Sequence, residues 1–169
     1  GYFSMNSSNK NSGGWSSSQM RSTVLGTSLS SYSGKLIGAL PSALRSVMKS
    51  VTKYTDNTGG GSGSVSGNVT STTDYMFLLS EYEVFGSISQ ANTNEAAKQA
   101  QYAYYSAGNS KIKYKHNVTS TAAAWWLRSP YASDFSRFAR VTTDGTVDYL
   151  NANYSFGLAP GFCVGKEAA

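Results

Sequence analysis

Residues 131–157 read YASDFSRFARVTTDGTVDYLNANYSFG. Asp144-Gly145 is the strongest short turn signal in the chain. Two loop lengths compete there. A two-residue Asp-Gly turn sets Val141 and Val147 on opposite faces. A three-residue loop of Thr143, Asp144 and Gly145, with Gly145 left-handed, turns both valines inward, and it is preferred. Phe138, Arg140 and Thr142 then point outward on one strand, and Thr146, Asp148 and Leu150 on the other. Arg140 faces Asp148 and Phe138 faces Leu150, both favourable cross-strand pairs.

The same stretch contains no Lys, Glu, Gln, Trp or Met, although the other 142 residues hold 24 of them. These five are the residues that no codon ending in C can encode. Randomising the adenines of AAC codons would leave such a stretch. Six aromatics remain, Tyr131, Phe135, Phe138, Tyr149, Tyr154 and Phe156, among Ser, Thr, Asn, Asp and Arg. Rigid amphipathic rings beside small polar residues are the palette of an antibody paratope. Four of the six rings are expected to be exposed.

Working outward, WWLRSP at 125–130 reads as a strand ended by Ser-Pro. Trp125 and Trp126 point to opposite faces; one is expected in the core and the other packed beneath the loops, with a ligand-stacking platform as the less favoured alternative. Arg128 is expected to hydrogen-bond backbone carbonyls of the long loop that follows, as a scaffold residue. On the far side, GLAPGFCV reads as a final strand with Cys163 buried and inert.

Upstream, residues 1–14 look polar and loop-like, and a short helix is expected within 15–29. Leu40, Leu44, Val47, Met48 and Val51 make one apolar stripe, which predicts a helix running to Lys53. Residues 56–68, DNTGGGSGSVSGN, read as a flexible Gly/Ser loop without the lysine of a phosphate loop. Residues 75–85 read as a buried strand and its continuation, with Glu81 and Glu83 alternating at its surface. Residues 94–105 suggest a helix. Lys111, Lys113 and Lys115 alternate with Ile112, Tyr114 and His116, the pattern of a protected sheet edge; a nucleic-acid stripe is the sharper reading of the same residues.

The 169 residues suit one domain, 1–169, long enough to bury a core. Net charge is +5, yet residues 131–157 carry Arg137 and Arg140 against Asp134, Asp144 and Asp148. The positive excess therefore lies elsewhere. One cysteine and one histidine exclude an intrachain disulfide and the usual zinc sets. Asp134, Asp144 and Asp148 form no dense carboxylate–carbonyl run of the calcium-binding kind. No run approaches about 18 apolar residues, so no membrane insertion is expected. No signal peptide is visible, which leaves location open. A charge content of 14 %, with abundant Ser and Tyr, suits an extracellular or virion setting.

WWLRSP and the later APGFCV at 159–164, with Gly13, Gly14, Trp15, Met20, Arg21, LPSALRSVMKSVTKYT at 40–55 and FLLSEYEVFG at 77–86, resemble a domain of unknown function common in gut Firmicutes and their phages. That domain resembles the C-type-lectin-like fold of formylglycine-generating enzymes and of the variable proteins of diversity-generating retroelements. The likeness implies an α+β fold, C-type-lectin-like, with two short helices packed on small antiparallel sheets and long loops. Variable proteins carry their hypervariable residues between a tryptophan-containing strand and a final constant strand, where residues 131–157 lie. Formylglycine-generating enzymes use two cysteines, and this chain has one.

The expectation is a non-catalytic recognition protein, without cofactor or metal, at a cell surface or on a phage virion. Its partner would be a protein or glycan, not nucleic acid, and a monomer is compatible with the role. The expected ligand-binding residues are Tyr131, Asp134, Phe135, Arg137, Phe138, Arg140, Asp148, Tyr149, Asn151, Asn153, Tyr154 and Phe156. A fixed-specificity carbohydrate-binding or structural module is the runner-up, and an enzyme stands third.

Overall fold

Strand β7 (Trp125–Pro130) carries adjacent tryptophans, and strand alternation sends them into different cores. Trp126 packs with Met5, Trp15, Met20, Leu25, Ile37, Phe77 and Phe138 in the first core. Trp125 packs with Val84, Leu127, Ala139, Val141 and Tyr149 in the second. Both rings are essentially inaccessible, so neither lies loosely under the loops. Their indole N–H groups are satisfied: Trp126 Nε1 donates to the Phe3 carbonyl at 2.8 Å and Trp125 Nε1 to the Lys111 carbonyl at 3.0 Å.

The computed structural model describes residues 1–165. The architecture is α+β, with few short helices and several small antiparallel sheets. Strands β1 (Met48–Lys49), β2 (Val51–Asp56), β3 (Val69–Asp74), β4 (Met76–Phe77), β5 (Lys113–Lys115) and β6 (Val118–Ala123) precede β7. Strands β8 (Arg137–Val141), β9 (Val147–Asn151) and β10 (Gly161–Val164) follow. The helices are α1 (Ser42–Val47), α2 (Glu81–Phe85) and α3 (Ala103–Ser106). Strands β7, β8 and β9 form one sheet in that order, β10 lies between β1 and β4, and β2–β3 and β5–β6 are two-stranded.

The β8–β9 hairpin has the expected three-residue loop. Val141 pairs with Val147, Arg140 with Asp148 and Phe138 with Leu150. Gly145 has φ +87°, the left-handed conformation the loop needs. The expected outward face is nevertheless covered at one end. Phe3 and Phe156 exchange backbone hydrogen bonds, and the Asn6 amide donates to the Ala152 carbonyl at 3.0 Å. Residues 3–6, read above as polar loop, thus lie beside the hairpin. Met5 joins the core with Phe138, and Leu150 and Phe156 pack against it.

Several segments depart from expectation. Helix α1 stops at Val47, and Val51 already pairs with Asp74 in β2. Val47, Met48 and Val51 fit a helical stripe, but four of the five residues 51–55 are β-branched or aromatic, and the segment pairs as a strand. The expected strand over 75–85 is β4 followed by α2. Ser80 accepts from the Glu83 amide, and the Glu83 carboxylate accepts from the Ser80 amide, a capping box that starts the helix. Glu81 and Glu83 are buried rather than on a strand surface. The helix expected over 94–105 is a 3₁₀ segment, Thr93–Lys98, followed by α3. A π-type helical segment, Met20–Leu25, occupies part of 15–29. Cys163 is half-buried on β10, not fully enclosed.

The glycine loop is not free. Asp56 Oδ1 accepts from the amides of Thr58 and Gly59 at 2.9 Å each. The Gly60 amide donates to Asn11 Oδ1 at 2.7 Å and the Gly63 amide to the Ala132 carbonyl at 2.8 Å. The loop is fastened to residues 11 and 132.

Candidate functional site

At the end of the β8–β9 hairpin away from its turn, two stretches of chain meet. Residues 132–136 lead into β8, residues 152–154 leave β9, and Arg137 pairs with Asn151 between them. The Ala152 amide donates to the Ser136 carbonyl at 2.8 Å, and the Tyr154 amide to the Asn151 carbonyl at 3.0 Å. The side chains of Phe135, Arg137, Asn153 and Tyr154 are exposed there, with Phe135 at 64 % and Tyr154 at 50 %.

Asn11 fixes the backbone beneath them. Its Nδ2 group donates to the carbonyls of Asp134 at 2.7 Å, Arg137 at 2.9 Å and, more weakly, Tyr131 at 3.4 Å. Its own amide donates to the Phe135 carbonyl at 2.9 Å. One fully buried side chain therefore collects carbonyls from a seven-residue loop. The sequence offered no sign of this, because an asparagine in a Ser/Gly-rich stretch is ordinary turn material. Gly14 has φ +51°, and a Cβ there would stand 2.0 Å from the Asp56 carbonyl oxygen, so the chain passes in close contact.

Two of the twelve candidate residues are core and leave the surface. Phe138 is fully buried against the first cluster because residues 3–6 cover its face. Tyr149 is 3 % exposed and points, like Val147 two residues earlier, into the second cluster. Its hydroxyl donates to Glu81 Oε2. Burial, then the nearby Glu81 carboxylate, push this phenol far above its ordinary pKa. Two of the six aromatics are exposed rather than four.

Six candidates are half-buried at the rim: Tyr131, Asp134, Arg140, Asp148, Asn151 and Phe156. Arg140 Nη2 lies 2.9 Å from Asp148 Oδ2. The Arg140 guanidinium also sits 4.3 Å from the Phe156 ring centroid, and Phe156 meets Trp126 edge-on at 4.9 Å. The Tyr131 and Tyr149 rings are 5.2 Å apart. Asp134 pairs loosely with Arg137 at 3.7 Å. Partial burial raises the Asp134 carboxyl, but the Ser136 hydroxyl and amide and the Arg137 charge outweigh it, so the net displacement is downward. At the hairpin turn, hydrogen bonds from Thr142 and Thr146 lower exposed Asp144 to about 2.

Behind the surface lies a buried polar hub. Arg128 is a scaffold residue, but for other segments than the long loop expected: it donates to the carbonyls of Leu78 at 2.8 Å and Tyr54 at 3.2 Å, and to Thr55 Oγ1 at 2.7 Å. It also pairs with Glu83, which Lys53 meets at 2.9 Å from the other side. Burial pushes Glu83 up, but Arg128 and Lys53 together bring it down to about 2. Glu95 is fully buried with no cation in contact. Burial raises it to about 7, against donors from the Asp56 amide at 2.9 Å and the Ser129 hydroxyl at 2.7 Å. Among the described residues, every buried side-chain nitrogen and oxygen has a hydrogen-bond partner. The buried atoms of the hub are thus satisfied within the protein.

Among the described residues, no group of three or more His, Cys, Asp and Glu is arranged to hold a metal ion, and no helix is long and apolar enough to cross a membrane. Cys163 lies on β10 and His116 at the β5–β6 turn, on separate sheets.

No curated protein and no solved structure matches the chain. A family model does, over residues 3–166, which takes in both cores, the Asn11 clamp and the whole exposed surface. The chain belongs to the family described as a domain of unknown function, DUF6273.

Proposed function

We propose that this chain is a non-catalytic recognition protein whose C-terminal hairpin and loops display a diversified binding surface. Phe135, Arg137, Asn151, Asn153 and Tyr154 form its centre, with Asp134 and Arg140 at its edge. One observation carries the reading. In the stretch lacking Lys, Glu, Gln, Trp and Met, exposed side chains stand on a backbone held from outside by Asn11 and the 59–63 loop. Changing those side chains leaves the clamp in place. A held backbone also lowers the ordering cost of binding, and the exposed Phe, Arg, Asn and Tyr match a paratope's composition.

The short helices, small antiparallel sheets and C-terminal loops support a C-type-lectin-like fold of the kind used by variable proteins of diversity-generating retroelements. Recognition is favoured over catalysis because the charges at this surface pair with each other, Arg137 with Asp134 and Arg140 with Asp148. The reading sets the protein on a phage or bacterial surface, facing a protein or glycan. The burial of Phe138 and Tyr149 favours a second reading, a fixed-specificity module of the same fold, because those two positions cannot vary freely.

The nucleotide sequence around the gene separates the two. Diversification predicts an AAC-rich near-copy of the segment encoding residues 131–157, and sibling genes that differ at exposed positions while sparing Phe138 and Tyr149. Scattered variation with no near-copy would favour the fixed module.

A further inference from the structure

A concave surface with neither Phe135 nor Tyr154 in its lining lies between residues 1–3 and the β5–β6 hairpin. It is a cleft of about 560 Å³, within the range of small-ligand sites. One wall is fastened: Phe3 exchanges backbone bonds with Phe156, and the Gly157 amide donates to the Ala124 carbonyl at 2.9 Å. The other wall is the hairpin, with Lys113, Tyr114, Lys115 and His116 on the cleft. Trp125 also lines it.

Two features separate this cleft from ordinary surface. The first is exposed aromatic area with no core to serve. Tyr2 is 49 % and Tyr114 55 % exposed. The second is charge of one sign. No Asp or Glu lines the cleft. Among the described residues, Lys111, Lys113 and Lys115 pair with no carboxylate. They lie instead near aromatic rings: Lys115 is 5.6 Å from the Tyr2 centroid, and Lys113 5.4 Å from Tyr104. A ring contact orients an ammonium without cancelling its charge. The cleft therefore offers flat apolar faces beside uncompensated cations.

We infer that this cleft binds a carboxylated sugar ring, as a unit of an acidic glycan. A sugar ring has an apolar face that can lie on Tyr2 or Tyr114, and its carboxylate takes Lys115 and His116 as donors. The volume suits one or two such rings. A single-stranded nucleic acid also combines rings with negative charge, but it needs a basic groove tracking several phosphates, and this cleft is short. Apart from Gly157, the lining lies outside residues 131–157, so the site would be constant and independent of the surface proposed above.

The test is calorimetric titration of the full chain with oligogalacturonate, oligosialate, a neutral galactan oligomer and oligo-dT. At least one acidic oligosaccharide should bind, and the neutral oligomer should not. Lys115→Ala and Tyr114→Ala should each weaken that binding about tenfold, the scale of losing one charge-assisted or stacking contact. Both residues are on an outer hairpin, and an unchanged thermal melt would show that the variants fold. Phe135→Ala should leave this binding unaltered, which separates the cleft from the proposed variable surface. The inference is overturned if neither acidic oligosaccharide binds, if binding survives both substitutions, or if oligo-dT binds more tightly than either glycan.

Discussion

The Asn11 side-chain amide donates to the Asp134 carbonyl at 2.7 Å, across 123 residues of chain. The same side chain accepts from Gly60, so one residue joins the N-terminal segment, the glycine loop and the loop entering β8. Asn11→Ala leaves carbonyls of Asp134 and Arg137 without their donor. The expected cost is about 2–4 kcal/mol by chemical denaturation, from the lost bonds and the unsatisfied groups. Asn11→Asp should cost at least as much, because it sets an acceptor against those carbonyls. A loss below about 0.5 kcal/mol, the scale of an ordinary surface change, would show that the loop is held by something else.

Gly14 makes the same point from the backbone side. Its left-handed φ and the 2.0 Å approach of the Asp56 carbonyl leave no room for a Cβ. Gly14→Ala should lower the melting temperature and speed amide exchange at Gly59 and Gly60, since Asp56 organises that loop. Gly67, with open space around its Cβ position and no positive φ, is the control and should tolerate alanine.

The hairpin loop was legible because Gly145 names its own conformation. The opposed tryptophans followed from strand alternation, and the scaffold role of Arg128 from its place beside them. Tyr149 was assigned to the binding surface although it shares the face of Val147, which the hairpin pattern itself turns inward. Phe138 was not legible as core. Its burial depends on Met5 and on residues 3–6, a contact no local pattern announces. Residues 51–53 went to the wrong element because a short apolar stripe fits both periods. Ser80 with Glu83 was a readable capping box, overridden by the apolar run before it. Asn11 carried no signal of its own.

Core and surface within residues 131–157 should respond oppositely. Phe138→Ala should cost about 3–5 kcal/mol, as should Trp126→Ala, both being large-to-small changes in a packed core. Phe135→Ala and Tyr154→Ala should each stay within about 0.5 kcal/mol. Equal losses at all four positions would merge the proposed surface with the core.

Stability should fall on both sides of a weakly acidic optimum. Glu95, raised from 4.5 to about 7, binds its proton more tightly in the fold. Its contribution is complete below 4.5 and is lost as pH rises through 7. Glu83, lowered from 4.5 to about 2, contributes above 4.5 and loses that contribution as pH falls toward 2. Denaturation from pH 3 to 8 should therefore show a maximum near the ordinary carboxylate range, and Glu95→Gln should flatten its alkaline side. A slope unchanged in that variant would assign the decline to another group.

The most direct measurement randomises Phe135, Arg137, Asn151, Asn153 and Tyr154 together with codons ending in C. The library is displayed and sorted first for protease resistance, then for binding to unrelated protein and glycan targets. The account predicts that most members resist protease like the parent and that different targets select different residues at these positions. A library that is mostly unfolded, or folded yet yielding no target-specific members, would contradict it.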